Sequence, residues 1–150
     1  MAHLSVSTPF GYISVFEEED HLVAVEFGRA PDDVPSPLLA EARKQIDSYF
    51  DGAMVSFDLP MKPEGTPFQK RIWQRMRAIP YGSTIPYGDI AKELATASRA
   101  VGNACGRNPL PIVIPCHRVV GASGALGGYS GGEGVETKIA LLRLEGALAV

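Results

Sequence analysis

Two runs rich in β-branched and aromatic residues, Phe10 to Phe16 and Leu22 to Phe27, flank the polar stretch Glu17-Glu18-Glu19-Asp20-His21. Such runs around a short polar break predict a β-hairpin with an acidic turn. Arg29 to Pro37 holds three prolines and two aspartates and reads as a loop. Ser36-Pro37 then opens a helix, because serine caps and proline fits the first helical turn. That helix runs to about Phe50 and stops at Asp51-Gly52. Met54 to Leu59 is a third strand candidate, and Met61 to Gly65 reads as a linker.

The pattern changes after Gly65. Thr66-Pro67-Phe68-Gln69 combines a cap, a first-turn proline and a capping-box glutamine. Phe68, Ile72, Met76 and Ile79 follow at helical spacing and give one apolar face. Pro80-Tyr81-Gly82 ends that helix. Tyr87 to Leu94 and Ser98 to Cys105 read as two short helices joined by a tight turn, which fits a helix-turn-helix. Ile112-Val113-Ile114 reads as a short buried strand. Residues 121 to 134 hold seven glycines in fourteen positions, which suits a linker or a shaped loop beside a pocket. Tyr129 within the run favours the pocket. Glu136 to Gly146 is a last helix with Ile139 and Leu142 toward the core. No internal repeat is visible. The fold class is therefore α/β (α+β): residues 1–65 as a small hairpin–helix–strand domain, and residues 66–150 as a mainly helical one with the helix-turn-helix.

Composition fits this organisation. Of 150 residues, 45% are hydrophobic and 21% charged, as in a globular protein. No apolar run approaches a membrane span, and no secretory signal is visible. Two cysteines without a CxxC pattern argue against a disulfide scaffold and for a reducing, intracellular setting. The net charge of −3 changes meaning once divided along the chain. Residues 1–66 carry four basic and twelve acidic side chains, a net −8; residues 67–150 carry ten and five, a net +5. Such asymmetry suggests a polyanionic partner for the second half.

Within that second half, Pro115-Cys116-His117 sets a thiol beside a base. The thiolate, not the thiol, is the nucleophile, and a free thiol with a pKa near ~8.5 is mostly protonated at neutral pH. Neighbours on an extended strand point to opposite faces, so a water could bridge thiol and imidazole. Taken alone, the pair reads better as an inert buried thiol beside a histidine bonded to the backbone. Glu145 lies near the apolar face of Leu141 and Leu142, where a carboxylate needs a partner. From the residues alone, a half-exposed glutamate near the helix end beside a Gly146 cap is the better reading. Asn108, before Pro109, reads as a turn residue.

The combined wording is more specific. Arg99-Ala100-Val101-Gly102, Asn108-Pro109, Pro115-Cys116-His117-Arg118-Val119 and Leu141-Leu142-Arg143-Leu144-Glu145-Gly146 resemble the O6-alkylguanine-DNA alkyltransferases. The resemblance has strong motifs over roughly residues 67–150 and is only general over residues 1–66. It implies single-turnover DNA repair: the alkyl group of O6-alkylguanine, or O4-alkylthymine, in duplex DNA passes to Cys116 as a thioether. It further implies that His117 activates the thiol through water and that Glu145 orients the imidazole and favours its protonated form. Asn108 would be a hinge. Arg99 would be a finger filling the gap left by a flipped nucleotide, an extrusion that chemistry on a stacked base requires. Tyr87 would help rotate the nucleotide and protonate the leaving guanine.

Ala100, Gly102 and Ala104 would allow close approach in the minor groove, with Arg107 and Arg118 as further DNA contacts. Val119, Tyr129 and Ser130 would line the alkyl pocket. No cofactor and no metal are implied, and the partner is double-stranded DNA bound by a monomer in the cytoplasm (or nucleus, in a eukaryote). From Tyr87 to Arg99 there are twelve steps, two fewer than in many members, as in some compact archaeal forms. Cys105 falls on the second helix, packed and near the DNA face; a disulfide to Cys116 would remove the nucleophile. Three other readings stay open: a damage-binding protein without transfer, a Cys-His-Glu hydrolase, and a helix-turn-helix regulator.

Overall fold

The computed structural model describes residues 1–53, 56–126, 132 and 134–148. The chain divides into two compact units, Met1–Glu64 and Gly65–Val150.

The first unit is an antiparallel meander with one helix. Strands β1 (Ala2–Thr8), β2 (Gly11–Glu18) and β3 (His21–Phe27) pair in sequence order. Leu4, Val6, Ile13, Val15, Leu22 and Val25 supply its core, with Leu39, Ala42, Ile46 and Tyr49 of α1 (Pro37–Phe50). The hairpin turn at Glu19-Asp20 has φ of 50° and 62°. Two successive positive values are what a two-residue primed turn requires. Ser36 caps α1 by accepting from Leu39 N at 3.1 Å.

Two differences from the sequence pattern stand out. Strand β1 precedes the expected hairpin. Its serines explain why the alternation His3-Leu4-Ser5-Val6-Ser7 is not a simple inside–outside pattern. Ser5 faces Ser14 across the sheet at 3.2 Å, and both hydroxyls donate to the carbonyls of the 28–30 loop. The expected strand at Met54 to Leu59 is not found: Met54 and Val55 lie outside the described residues, and residues 56–59 form no strand. Asp58 is held by a side chain instead, since Gln45 accepts from its N–H at 2.9 Å and donates to its carbonyl at 3.0 Å. Strand β3 pairs beyond it, Leu22 exchanging backbone bonds with Pro60 and Lys62 at 2.9 Å each.

The second unit contains α2 (Pro67–Arg77), β4 (Ile85–Pro86), α3 (Tyr87–Glu93), α4 (Ser98–Gly106), β5 (Val119–Val120) and α5 (Val135–Leu144). The capping box at Thr66 and Gln69 is present. Ile72, Trp73 and Met76 form the buried face of α2, and the Trp73 indole donates to Ala104 O at 2.8 Å, tying α2 to α4. Helices α3 and α4 are joined by residues 94–97. Ala95 takes a left-handed φ of 54° there, and Thr96 N closes on Ala91 O at 2.9 Å, a Schellman-type stop without its usual glycine. Strands β4 and β5 pair in parallel, Ile85 with Val119.

The run Ile112-Val113-Ile114 is buried but is a turn, not a strand. Ile112 has a φ of 74°, and Ile114 N returns to Leu110 O at 2.8 Å. Pro111 and Pro115 flank it, and proline removes the donors that a ladder needs. In α5 the buried residues are Thr137, Lys138, Leu141 and Leu142, whereas Ile139, expected in the core, is only half-buried. Among the described residues no helix is long and apolar enough to cross a membrane.

Candidate active site

Cys116–Arg118 form a single 3₁₀ turn leading into β5. Pro115 ends the preceding turn, Cys116 N bonds Ile114 O at 2.8 Å, and Arg118 N bonds Pro115 O at 3.0 Å. The thiol and imidazole thus lie on a tight turn rather than on an extended strand. Asn108 holds the approach to it. Its Nδ2 donates to Ile114 O and its Oδ1 accepts from Leu110 N, both at 2.9 Å. It also favours the ionised form of the Cys116 sulfur.

His117 is fully buried, and its Nε2 lies 2.8 Å from Glu145 Oε2. Glu145 follows the last turn of α5 as its C-cap. Its carboxylate meets Arg118 as well: Nε reaches Oε1 and Nη2 reaches Oε2, each at 2.8 Å. Arg118 Nη1 donates to Ile79 O at 2.8 Å, and its guanidinium lies 5.8 Å from the Tyr81 ring centroid. Gly82, at φ +83°, lets the next turn approach; a Cβ there would stand 3.2 Å from Glu145 O. The expected DNA contact by Arg118 is therefore wrong. The side chain is buried, 6% exposed, with its fork committed inside the protein.

Lys138 is a second buried cation that the sequence reading missed. Its Nζ donates to Val119 O at 2.7 Å and lies 5.6 Å from the Tyr87 ring centroid. Arg118 sits between apolar runs and Lys138 beside Ile139 on the last helix, but the carbonyls that hold them come from distant parts of the chain.

Burial dominates the electrostatics of the thiol and the imidazole. Burial pushes the Cys116 thiol above its ordinary value, against the opposing help of Asn108, Lys138 and the backbone N–H groups of Cys116 and His117. Burial also pushes His117 below the ordinary imidazole range, and the Glu145 contact only partly offsets it. Both shifts disfavour the charged forms, thiolate and imidazolium. Tyr87, half-buried at the start of α3, is raised to about 12 by burial and by the two nearby sulfurs. It remains a hydroxyl donor at neutral pH.

Cys105 is raised to about 12, chiefly by burial. Its sulfur lies 3.4 Å from Met76 Sδ, so it faces the core and not the outer face of α4. Both cysteines are free. The outer face of α4 carries Arg99 and Asn103, with Arg107 at its end; Ala100 and Gly102 are half-buried, whereas Ala104, expected on that face, is buried against Trp73. Arg99 has no hydrogen bond or ion pair among the described residues, and a Cβ on Gly102 would meet nothing within 4 Å. Val119 is buried. Tyr129 and Ser130 lie outside the described residues. Among the described residues no group of three or more His, Cys, Asp or Glu could hold a metal ion.

Known proteins share both halves of this arrangement. Residues 67–147 match the model of the 6-O-methylguanine DNA methyltransferase DNA-binding domain, and residues 1–63 that of its ribonuclease-like domain. A methylated-DNA–protein-cysteine methyltransferase of Methanosarcina acetivorans is 43% identical, covering 98% of this chain and 99% of its own. The constitutive enzyme of that name from Bacillus subtilis is 40% identical over 95% and 94%. A structure of Mycobacterium tuberculosis OGT in complex with DNA superimposes with a TM-score of 0.85 at 36% identity, covering 98% of this chain and 94% of that one. An O6-methylguanine DNA methyltransferase of Methanococcus jannaschii gives 0.70 at 32%, covering 98% and 95%. With two family models spanning nearly its whole length and relatives of this similarity, the chain belongs to the 6-O-methylguanine DNA methyltransferase family.

Proposed function

We propose that Cys116 is the acceptor in this chain's reaction, the DNA-repair transfer of an alkyl group to a cysteine of the protein itself. The substrate is O6-alkylguanine in duplex DNA, with O4-alkylthymine as a second lesion. The Cys116 sulfur attacks the alkyl carbon in line; the S–C bond forms as the C–O6 bond breaks. The thiol proton passes through a water to His117, and Tyr87 supplies a proton to the leaving guanine. The product is a thioether that water does not readily cleave, so each chain acts once.

The observation that carries this reading is the buried 2.8 Å contact of His117 with Glu145 on the turn that presents Cys116. An orienting carboxylate behind a base next to a thiol is the arrangement that nucleophilic sulfur needs. Residues 66–150 carry both DNA binding and transfer, and residues 1–65 support them. The outer face of α4, with Arg99, Ala100, Gly102 and Arg107, meets the DNA. Arg99 fills the stack when the damaged nucleotide flips out, which costs a few kcal/mol. The protein acts as a monomer, without cofactor or metal, in the cytoplasm. Val119, Tyr129 and Ser130 face the alkyl group.

Intact mass after mixing with O6-benzylguanine tests this. One benzyl group should be gained per chain, and none by Cys116→Ala. An unchanged mass together with repeated ester hydrolysis would establish a hydrolase instead.

A further inference from the structure

The geometry points to Arg118 as a positioning residue: its fork on Glu145 keeps His117 a neutral base with Nδ1 open to the Cys116 proton. The inference deepens the function proposed above and rests on Cys116 being the acceptor.

Glu145 is an awkward place for a carboxylate. It is 5% exposed and caps the C-terminus of α5, the negative end of a helix. Arg118 resolves this with two parallel bonds of 2.8 Å to the two oxygens, while Ile79 O fixes the third nitrogen. A carboxylate so paired stays ionised and can only accept. His117 Nε2, which shares Oε2 at 2.8 Å, must then be the donor. The tautomer follows: the proton is on Nε2 and the lone pair on Nδ1. His117 Nδ1 is the buried side-chain polar atom that has no hydrogen-bond partner among the described residues.

Arg118 also fixes the charge. Glu145 alone would hold His117 as imidazolium, a form that cannot take a proton. With Arg118 on both oxygens the pair is neutral as a unit, and the imidazole gains less by charging. The other groups around His117 act in the same sense or stand apart. Lys138 of α5 opposes a charged imidazole. Burial disfavours a charged Cys116, and Tyr81 meets Arg118 by its ring face. On α2, Lys70, Arg71 and Arg77 are at the surface, and Arg75 pairs with Glu93. When the thiol proton moves to Nδ1, the Nε2 proton stays on His117 and keeps its hydrogen bond to the Glu145 carboxylate, so one proton moves and the resulting thiolate and imidazolium are both held within the site.

The test begins with the unmodified chain. The imidazole ¹⁵N shifts of His117 should show the neutral Nε2–H tautomer at neutral pH. An imidazolium, or an Nδ1–H tautomer, would overturn the inference whatever any variant does. In Arg118→Met the loss of a positive neighbour should raise the His117 titration by about one to three units. The acid limb of the rate with O6-benzylguanine should move alkaline by the same amount, with the rate regained at high pH. Arg118→Lys keeps the charge and should keep the limb near its original position. A rate loss equal at every pH, with the His117 titration unmoved, would make Arg118 merely structural. Transfer by Cys116→Ala would instead remove the proposed acceptor, and the ring shifts would still report on Arg118.

Discussion

In the N-terminal unit the buried polar side chains are Ser5, Ser14 and Gln45, all neutral, and each ties a loop or a turnless segment to the sheet or helix. Among the described residues of the C-terminal unit they are Thr137 and four titratable groups: His117, Arg118, Lys138 and Glu145. Neutral polar groups cost little once hydrogen-bonded. Ionic groups out of water cost far more, and well-packed apolar residues of equal volume are often as stable or better. A cluster of them around one thiol is therefore a poor investment for stability alone and a good marker of chemistry.

The sharpest way to break this contrast is to remove one partner on each side. Glu145→Gln leaves Arg118 buried against a neutral amide and should destabilise the chain by about 3–5 kcal/mol. Gln45→Ala strands the backbone of Asp58 and should cost about 1–3 kcal/mol. Denaturant titrations of both variants measure the difference. If Glu145→Gln were the milder change, the ionic cluster would not be a tightly coupled unit.

A second comparison separates DNA work from chemistry within the C-terminal unit. Arg99→Ala should slow repair of duplex DNA roughly ten- to a thousandfold, since flipping costs a few kcal/mol and each 1.36 kcal/mol is about tenfold. Reaction with free O6-benzylguanine, which needs no flipping, should slow far less. Equal slowing on both would place Arg99 in the pocket, and none on either would make it a surface arginine.

The smallest effects concern pH. Burial depresses His117 from its usual 6.5 and raises Cys116 from its usual 9.0. Protonating His117 removes the base, so the rate with O6-benzylguanine should fall only in acid below 6.5. It should be level through neutral pH and rise where the thiol itself ionises. The stability of the fold follows the same sign at the acid end. A histidine buried neutral binds protons more readily unfolded, so stability is lost as pH falls from the unfolded value toward the depressed folded one. A rate falling through neutral pH would show an imidazolium at rest.

How legible each unit was follows from these same groups. Caps and turns are local, so Ser36, Thr66-Gln69 and the Glu19-Asp20 turn were readable. The thiol, base and carboxylate were readable as a motif, because Cys116, His117 and Glu145 match the family wording. What was not readable depends on distant partners. The alternation His3-Leu4-Ser5-Val6-Ser7 is itself a signal for β1; what it does not show is that Ser5 is buried, because Ser14 and the Ala30 carbonyl meet it only in the fold. Ile112 to Ile114 has the composition of a strand, yet its flanking prolines and Asn108 satisfy the backbone as a turn. Arg118 looked like one more basic residue in a basic half, and only the fold brings Glu145 and Ile79 to it.

The central claim is that Cys116 alone receives the alkyl group, once. Duplex DNA carrying O6-methylguanine in excess, followed by peptide mass mapping, tests it most directly. The account predicts one methyl group on the peptide containing Cys116, none on that containing Cys105, and repair that stops at one lesion per chain. A methyl group on Cys105, transfer by Cys116→Ala, or continued turnover would contradict it.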